Sequence, residues 1–269
     1  MRRTLHTRLT GTLTGPTTVY AIVAAATTYA PAQESLVVTL DGRPAEVQQL
    51  LGPHGTRLHR FAAAEPTDAP VEFALAYNAV IDGAGLPPVH DPVDLPTYLR
   101  PSRYCESDRH GGLVAEHFGG HAGTDLMAAI GDWIRGELSY VAGSTGPSDS
   151  ATDVLASRQG VCRDFAHVAV TLLRAANMPA RFASVWAPGL QPMEFHAVAE
   201  AWVGDRWVVL DATDLAPRPA MVRIATGRDA ADTAFLSSYG RGLVLEGFTV
   251  RADADEMPGD DSRAMVLLN

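Results

Sequence analysis

Arg158-Gln159-Gly160-Val161-Cys162-Arg163-Asp164-Phe165-Ala166-His167 opens the most clearly helical stretch of the chain. Over 162–176, Phe165, Val168, Ala169, Leu172 and Leu173 recur at helical spacing, and Asn177 and Pro179 stop the pattern. The spacing predicts a helix with those residues on its buried side and Cys162 in its first turn. That position matters chemically. The thiolate is the reactive form of cysteine, and the unsatisfied N–H groups at a helix N-terminus favour an anion. The same groups can stabilise an oxyanion. Gly160 permits a sharp turn into the helix. Taken alone, Cys162 reads more simply as an inert buried cysteine, a common fate for this residue type.

The residues that change this reading lie downstream. Segments 181–186, 195–203 and 206–211 read as strands, and Gly204-Asp205 is a two-residue hairpin turn. With Val203 paired to Arg206, Trp202 opposes Trp207 and Val198 opposes Asp211. His196 lies two positions from Val198 on the same face. His196 and Asp211 are then diagonal neighbours within side-chain reach. A thiol, an imidazole and a carboxylate are the nucleophile, the base and the group that orients the base. Trp202 and Trp207 share this face as core packing rather than as a substrate-stacking wall. Glu200 also shares it, open between a solvent-exposed strand end and a polar contact near the site.

The rest of the chain divides by composition. Residues 1–82 are rich in Thr, Val and Ala, with 36–40 running into Asp41-Gly42, a strong hairpin signal. Segments 19–26, 58–61 and 73–77 read as further strands, giving an N-terminal β-domain. The 19–26 run is far too short to span a membrane. Arg2, Arg3 and the later Ala30-Pro31-Ala32 imitate a secretory leader, but the polar stretch containing Pro16 argues against one. Gly83, Gly85, Pro87, Pro88, Pro92 and Pro96 make 83–96 a linker. A third region, 97–269, carries the chemistry. It has helices expected at 126–140, capped by Thr124 or Asp125, and at 152–158, ended by Gly160.

A formal net charge of −10 without any Lys/Arg stripe argues against a nucleic-acid partner. Two cysteines, Cys105 and Cys162, exclude a disulfide framework and suit a reducing cytoplasm. Cys105 lies in a polar stretch without a placed histidine partner, so its expected role is structural or incidental. Tyr140 and Gln159 are candidate oxyanion donors, with packing and capping as their plainer roles. His110, His117 and His121 have metal-like spacing, but Gly111, Gly112, Gly119, Gly120 and Gly123 among them make the segment a flexible loop, a poor preformed site. His167 falls on a different helix face from Cys162 and reads as structural. Arg228, Asp229 and Asp232 read as ion pairs at a solvated helix start.

The 158–167 run, the Phe195-His196-Ala197 strand and the Asp211-Ala212-Thr213 strand end together resemble the bacterial transglutaminase-like superfamily. The likeness extends to Tyr98-Leu99-Arg100-Pro101-Ser102-Arg103-Tyr104-Cys105 and to Val222-Arg223-Ile224-Ala225-Thr226-Gly227-Arg228-Asp229-Ala230-Ala231-Asp232. The resemblance implies an α+β protein. Its papain-like transglutaminase core would be a cysteine-bearing helix packed on an antiparallel sheet, accompanied by an N-terminal β-domain. It implies Cys162 as nucleophile, His196 as general base and acid, and Asp211 as the orienting carboxylate. Members include transglutaminases, peptidases and amidases such as peptide N-glycanases, which share an acyl-thioester step. No acidic cluster resembles a calcium loop, so calcium-activated crosslinking loses weight. The expectation is a cysteine-dependent amide hydrolase acting on a peptide or protein, with no cofactor, no metal and no membrane partner. Transfer of a glutamyl group to an amine, and a non-catalytic peptide-binding scaffold, are the rivals.

Overall fold

The computed structural model describes residues 1–63, 69–86 and 91–268; Pro87 and Pro88 of the expected linker lie outside them. Strands β1 (Arg2–Leu13), β2 (Thr17–Ala21), β3 (Gln33–Leu40), β4 (Arg43–Pro44), β5 (Gln48–Leu51), β6 (Arg57–Ala63) and β7 (Val71–Asp82) come first. Alternation shapes them. Along β1, Arg3, Leu5, Thr7, Leu9, Gly11 and Leu13 turn inward while the residues between them face outward. Asp41 and Gly42 both take positive φ, 47° and 73°, and close the β3–β4 hairpin.

Then follow α1 (Asp94–Thr97), α2 (Gly111–Phe118), α3 (Gly123–Glu137), β8 (Ser139–Tyr140), α4 (Ala151–Ser157), β9 (Gln159–Gly160) and α5 (Cys162–Ala175). The chain continues through β10 (Ala180–Trp186), β11 (His196–Val203), β12 (Arg206–Leu210), β13 (Val222–Gly227), α6 (Ala230–Thr233), β14 (Leu236–Gly240) and β15 (Leu243–Ala254). Two local expectations are corrected. The glycine-flanked histidine segment is helical in α2, because Val114 and Phe118 bury one of its faces. Helix α4 is ended by Arg158, left-handed at φ 59°, while Gly160 lies in β9.

Strands β12-β11-β10-β13 form an antiparallel sheet, and α5 lies across one of its faces. Phe165, Val168, Ala169, Leu172 and Leu173 of the helix pack there against Phe182, Ala197, Ala199, Ala201 and Leu210. A second body is a sandwich of β15-β1-β7-β3-β4 on β14-β2-β6-β5. The strands do not keep to a partition of 1–82 from 97–269, since β15 pairs with β1 and β14 with β2. Strand β1 is thereby paired along both sides, with β7 and with β15, and the sheet edge falls to β15.

The two bodies share side chains. Trp186, Val222 and Ile224 belong to the same core as Leu5, Leu9, Phe61 and Tyr77. The Trp186 indole N–H donates to Val23 O at 3.2 Å, and its ring stacks on Tyr77 at 6.0 Å. The segment after β2 is pinned to β13 by the main chain, with Ala26 N–H donating to Arg223 O at 2.9 Å.

Glu200 is fully buried on the sheet face away from α5. Arg181 Nε donates to one of its oxygens at 2.7 Å, and an Arg223 guanidinium nitrogen to the other at 2.6 Å. Burial works to raise the Glu200 pKa, but the two guanidiniums win and hold it below the usual carboxylate value. Arg181 also lies over the Trp207 ring, its guanidinium carbon 4.2 Å from the centroid. Removing one partner of a buried ion cluster leaves the others uncompensated. Glu200→Gln is therefore expected to cost about 3–5 kcal/mol in urea unfolding; a loss below about 1 kcal/mol would refute this role.

Candidate active site

Cys162 is the first residue of α5, after Val161 in an extended conformation. The Asp164 carboxylate accepts from Val161 N–H at 2.9 Å, which closes the helix start. Asp164 is fully buried and does more than cap. It accepts from Thr145 Oγ1 at 2.5 Å and pairs with Arg163 at 3.0 Å. Arg163 in turn donates to Gly146 O at 3.0 Å. These bonds tie the loop before α4 to the helix end that bears the thiol. Sequence reasoning passed over Asp164, because Val161 has no side-chain acceptor and so gives no capping-box signal. They also revise the reading of Gly160. A Cβ there would stand 2.7 Å from Asp164 Cβ, so the glycine is needed for close approach rather than for a turn.

His196 opens β11, and the hairpin register is the one expected. Trp202 pairs with Trp207 and Val203 with Arg206, across Gly204 at φ 57° and Asp205 at φ 61°. The ladder ends at Ala199 and Leu210, and Asp211 follows directly. His196 Nε2 lies 2.9 Å from Asp211 Oδ2. The other Asp211 oxygen accepts from the Thr213 N–H at 2.8 Å and the Thr213 hydroxyl at 2.7 Å. The carboxylate is therefore fixed on both sides. His196 Nδ1 is buried and has no hydrogen-bond partner among the described residues.

Cys162 and His196 line one cavity of about 470 Å³. Burial disfavours the imidazolium, but the Asp211 carboxylate and then the Cys162 thiol outweigh it and raise the His196 pKa to about 10. Burial likewise works to raise Asp211, yet His196 and Thr213 hold it below its ordinary value.

The parallel pairing of β8 with β9 sets Tyr140 opposite Gly160, two residues before Cys162. The Tyr140 phenol donates to Glu194 Oε1 at 3.3 Å. Burial, the Cys162 thiol and Glu194 push its pKa up, so it stays a proton donor. Gln159 is exposed on β9 and is not part of the cavity wall.

Cys105 is buried against His167 O at 3.6 Å, and burial pushes its thiol up to about 12. His110 bonds Thr152 Oγ1 at 3.0 Å, and His117 packs on Trp133 at 5.5 Å. No group of three or more His, Cys, Asp or Glu side chains among the described residues is placed to hold a metal ion. Arg228 and Asp232 form an ion pair at 2.9 Å, while Asp229 is buried and caps α6 through Ala231 N–H at 3.0 Å. His167 departs from expectation. It sits past the first turn of α5, yet the cavity extends along the helix far enough for His167 to line it with Cys162.

No helix among the described residues is long and apolar enough to cross a membrane. The sequence pattern of the transglutaminase-like superfamily matches residues 114–212, a span that contains Cys162, His196 and Asp211. A crystal structure of a candidate cysteine protease from Cytophaga hutchinsonii is similar at 35% identity and a TM-score of 0.87, covering 98% of this chain and 95% of that one. An uncharacterized protein of Mycobacterium leprae is 29% identical over 158 residues, which are 54% of this chain and 56% of that protein. One of Mycobacterium tuberculosis is 31% identical over 123 residues, 40% of this chain and 39% of its own length. The match thus spans about half or less of each mycobacterial relative. The chain belongs to the transglutaminase-like superfamily.

Proposed function

We propose that this protein is a cysteine-dependent amide hydrolase of the peptidase or amidase type, acting through an acyl-thioester on Cys162. One observation carries the reading. His196 spends Nε2 on Asp211 and keeps Nδ1 unpartnered in the cavity that it shares with Cys162. Buried polar nitrogens without a partner are rare, and this one belongs to the imidazole that lines the same cavity as the thiol. The relative from Cytophaga hutchinsonii, itself a candidate cysteine protease, supports hydrolysis over amine transfer.

In this mechanism His196 Nδ1 holds the thiol proton, and the Cys162 thiolate attacks the amide carbonyl carbon. The oxyanion is met by the Cys162 N–H and by the Tyr140 hydroxyl, which leaves Glu194 to donate to it. As the C–N bond breaks, His196 gives its proton to the departing amine, leaving a thioester. Water then attacks, His196 takes one of its protons, and the acid leaves as the thiol is restored. Asp211 keeps the imidazole oriented and stabilises its cation. No cofactor is required, and we assign the protein to the cytoplasm, where the thiol stays reduced.

Intact-mass labelling with limiting iodoacetamide at pH 6, on wild type, Cys162→Ala and His196→Ala, tests the reading. Selective labelling of Cys162 that slows by about tenfold or more without His196 is expected, with Cys105 silent. Slow and equal labelling of both cysteines, indifferent to His196, would overturn it in favour of a peptide-binding scaffold.

The raised His196 pKa has a definite sign. The imidazolium that stabilises the thiolate is present below about pH 10 and is lost as pH rises through that value. The ion-pair form of the proposed dyad calls for Cys162 alkylation that stays nearly flat between pH 6 and 8, where an ordinary thiol of pKa about 8.5 would gain nearly 100-fold. An ordinary rise over that interval would exclude the ion pair.

With a peptide library as substrate, Asp211→Asn should lower turnover by about 10²–10⁴-fold while far-ultraviolet circular dichroism is unchanged. Near-normal turnover would remove Asp211 from the mechanism. Product masses recorded with and without cadaverine separate hydrolysis from amine transfer, and amine-bearing products in quantity would favour the transferase.

A further inference from the structure

The cavity that holds Cys162 leads to a strand with a free edge. Ala230, Ala231, Thr233, Ala234 and Phe235 all line it, so the chain follows the cavity wall and enters β14 at Leu236. A second groove of about 350 Å³ adjoins the first, because Ile22 and Ala231 line both. Ser237 and Tyr239 of β14 line this groove together with Thr18 and Tyr20 of β2. The thiol cavity and β14 are therefore neighbours on one surface.

Strand β14 ends its sheet and pairs with β2 alone. The pairing shows which way its main chain points. Ile22 N–H donates to Phe235 O at 2.9 Å, and the β2–β14 register sets these two residues opposite each other. In an antiparallel ladder such bonded pairs alternate with pairs that exchange no bond. Tyr20 and Ser237 are the next bonded pair, and Thr18 and Tyr239 the one after. Leu236 and Ser238 fall between them, so their N–H and C=O groups point away from β2. Neither residue's main chain has another partner among the described residues, and Ser238 is exposed.

The other sheet edges at this cavity are covered or blunted. Beside β13, Ala26 N–H occupies Arg223 O at 2.9 Å. Strand β15 reaches the cavity through Phe248, but its register shifts at Thr10 and Gly11, and it carries Glu246, Arg251 and Asp253. Bulges and charges keep an edge from accepting another strand. Strand β14 has neither, since its register with β2 is unbroken and Leu236-Ser237-Ser238-Tyr239-Gly240 is uncharged. It is too short to invite sheet growth between copies, yet Leu236 and Ser238 offer N–H and C=O groups to one extended peptide. Where the edge leads decides its occupant. A peptide paired with Leu236 and Ser238 has its next residues beside Phe235, in the cavity of Cys162.

We propose that β14 is a docking edge for the substrate polypeptide, which pairs its main chain with Leu236 and Ser238 as an added strand and so enters the Cys162 cavity. The proposal deepens the hydrolase reading and rests on it for the identity of the peptide as a substrate. Recognition through the main chain tolerates many sequences, and alternate side chains of the added strand lie beside Ser237 and Tyr239.

The test is amide hydrogen exchange by NMR on the full chain carrying Cys162→Ala, with and without saturating β-casein as an unfolded polypeptide. The Leu236 and Ser238 amides should exchange fast alone and slow by about tenfold or more when casein is bound. The Ser237 and Tyr239 amides, already bonded to β2, should be slow in both states. Adding Ser238→Pro removes one outward N–H at a position where an edge strand tolerates proline. It should weaken casein binding by about fivefold or more, the worth of one hydrogen bond, while Ser238→Ala stays within about twofold. No binding, or binding that leaves the Leu236 and Ser238 amides exchanging as before, overturns the docking edge. Iodoacetamide labelling of the wild type is read separately. Selective labelling of Cys162 without protection of these amides rejects the edge and leaves the hydrolase. Protection without a selective thiol supports the edge as a peptide-binding surface and rejects the hydrolase.

Discussion

The Gly204-Asp205 turn decides which residues of β11 face which residues of β12, and the whole site depends on that register. A slip of one position would send His196 and Asp211 to opposite faces of the sheet. Two devices resist the slip. Both turn residues adopt positive φ, a conformation that glycine takes freely and aspartate tolerates, and that matches the twist of the hairpin. Glu200, four residues along the same strand, is anchored between Arg181 and Arg223 inside the protein. Moving it to the other face would unpair three buried charges at once. The cluster thus fixes geometry at a distance from the thiol without taking part in the chemistry.

Local signals were enough to read the centre of this arrangement. Helical spacing located α5 and put Cys162 at its start; strand alternation and a two-residue turn brought His196 and Asp211 together. Each of these depends on neighbours in sequence. What escaped was non-local. Glu200 could not be told from a strand end without knowing that Arg181 and Arg223 lie on the flanking strands. The glycines around α2 outweighed its two buried apolar residues in the reading, and tertiary packing reversed that balance. His167 was judged by angle around the helix, which carries no information about how far a cavity runs along it. Gly160 was correctly singled out for the wrong reason, since its need comes from the Asp164 side chain and not from its own dihedrals.

The sandwich is part of the site's construction. Trp186 leaves the catalytic sheet to stack on Tyr77, and Ile22, Phe235 and Phe248 approach the cavity from the sandwich side. Interfaces between separately folded units usually allow relative motion. Here Trp186, Val222 and Ile224 share one apolar core with Leu5, Leu9 and Phe61, so the cavity wall is as rigid as the packing behind it.

The pairing of β1 with β15 also orders events in time. Strand β1 is made well before β15, so the sheet stays open on that side while 83–242 are synthesised. At ribosomal speeds that interval is on the order of 10–30 s. During it α5, β11 and β12 can already form, but Phe235 and Phe248 have not arrived to wall the cavity. The nascent chain therefore carries its thiol before it carries the enclosure around it.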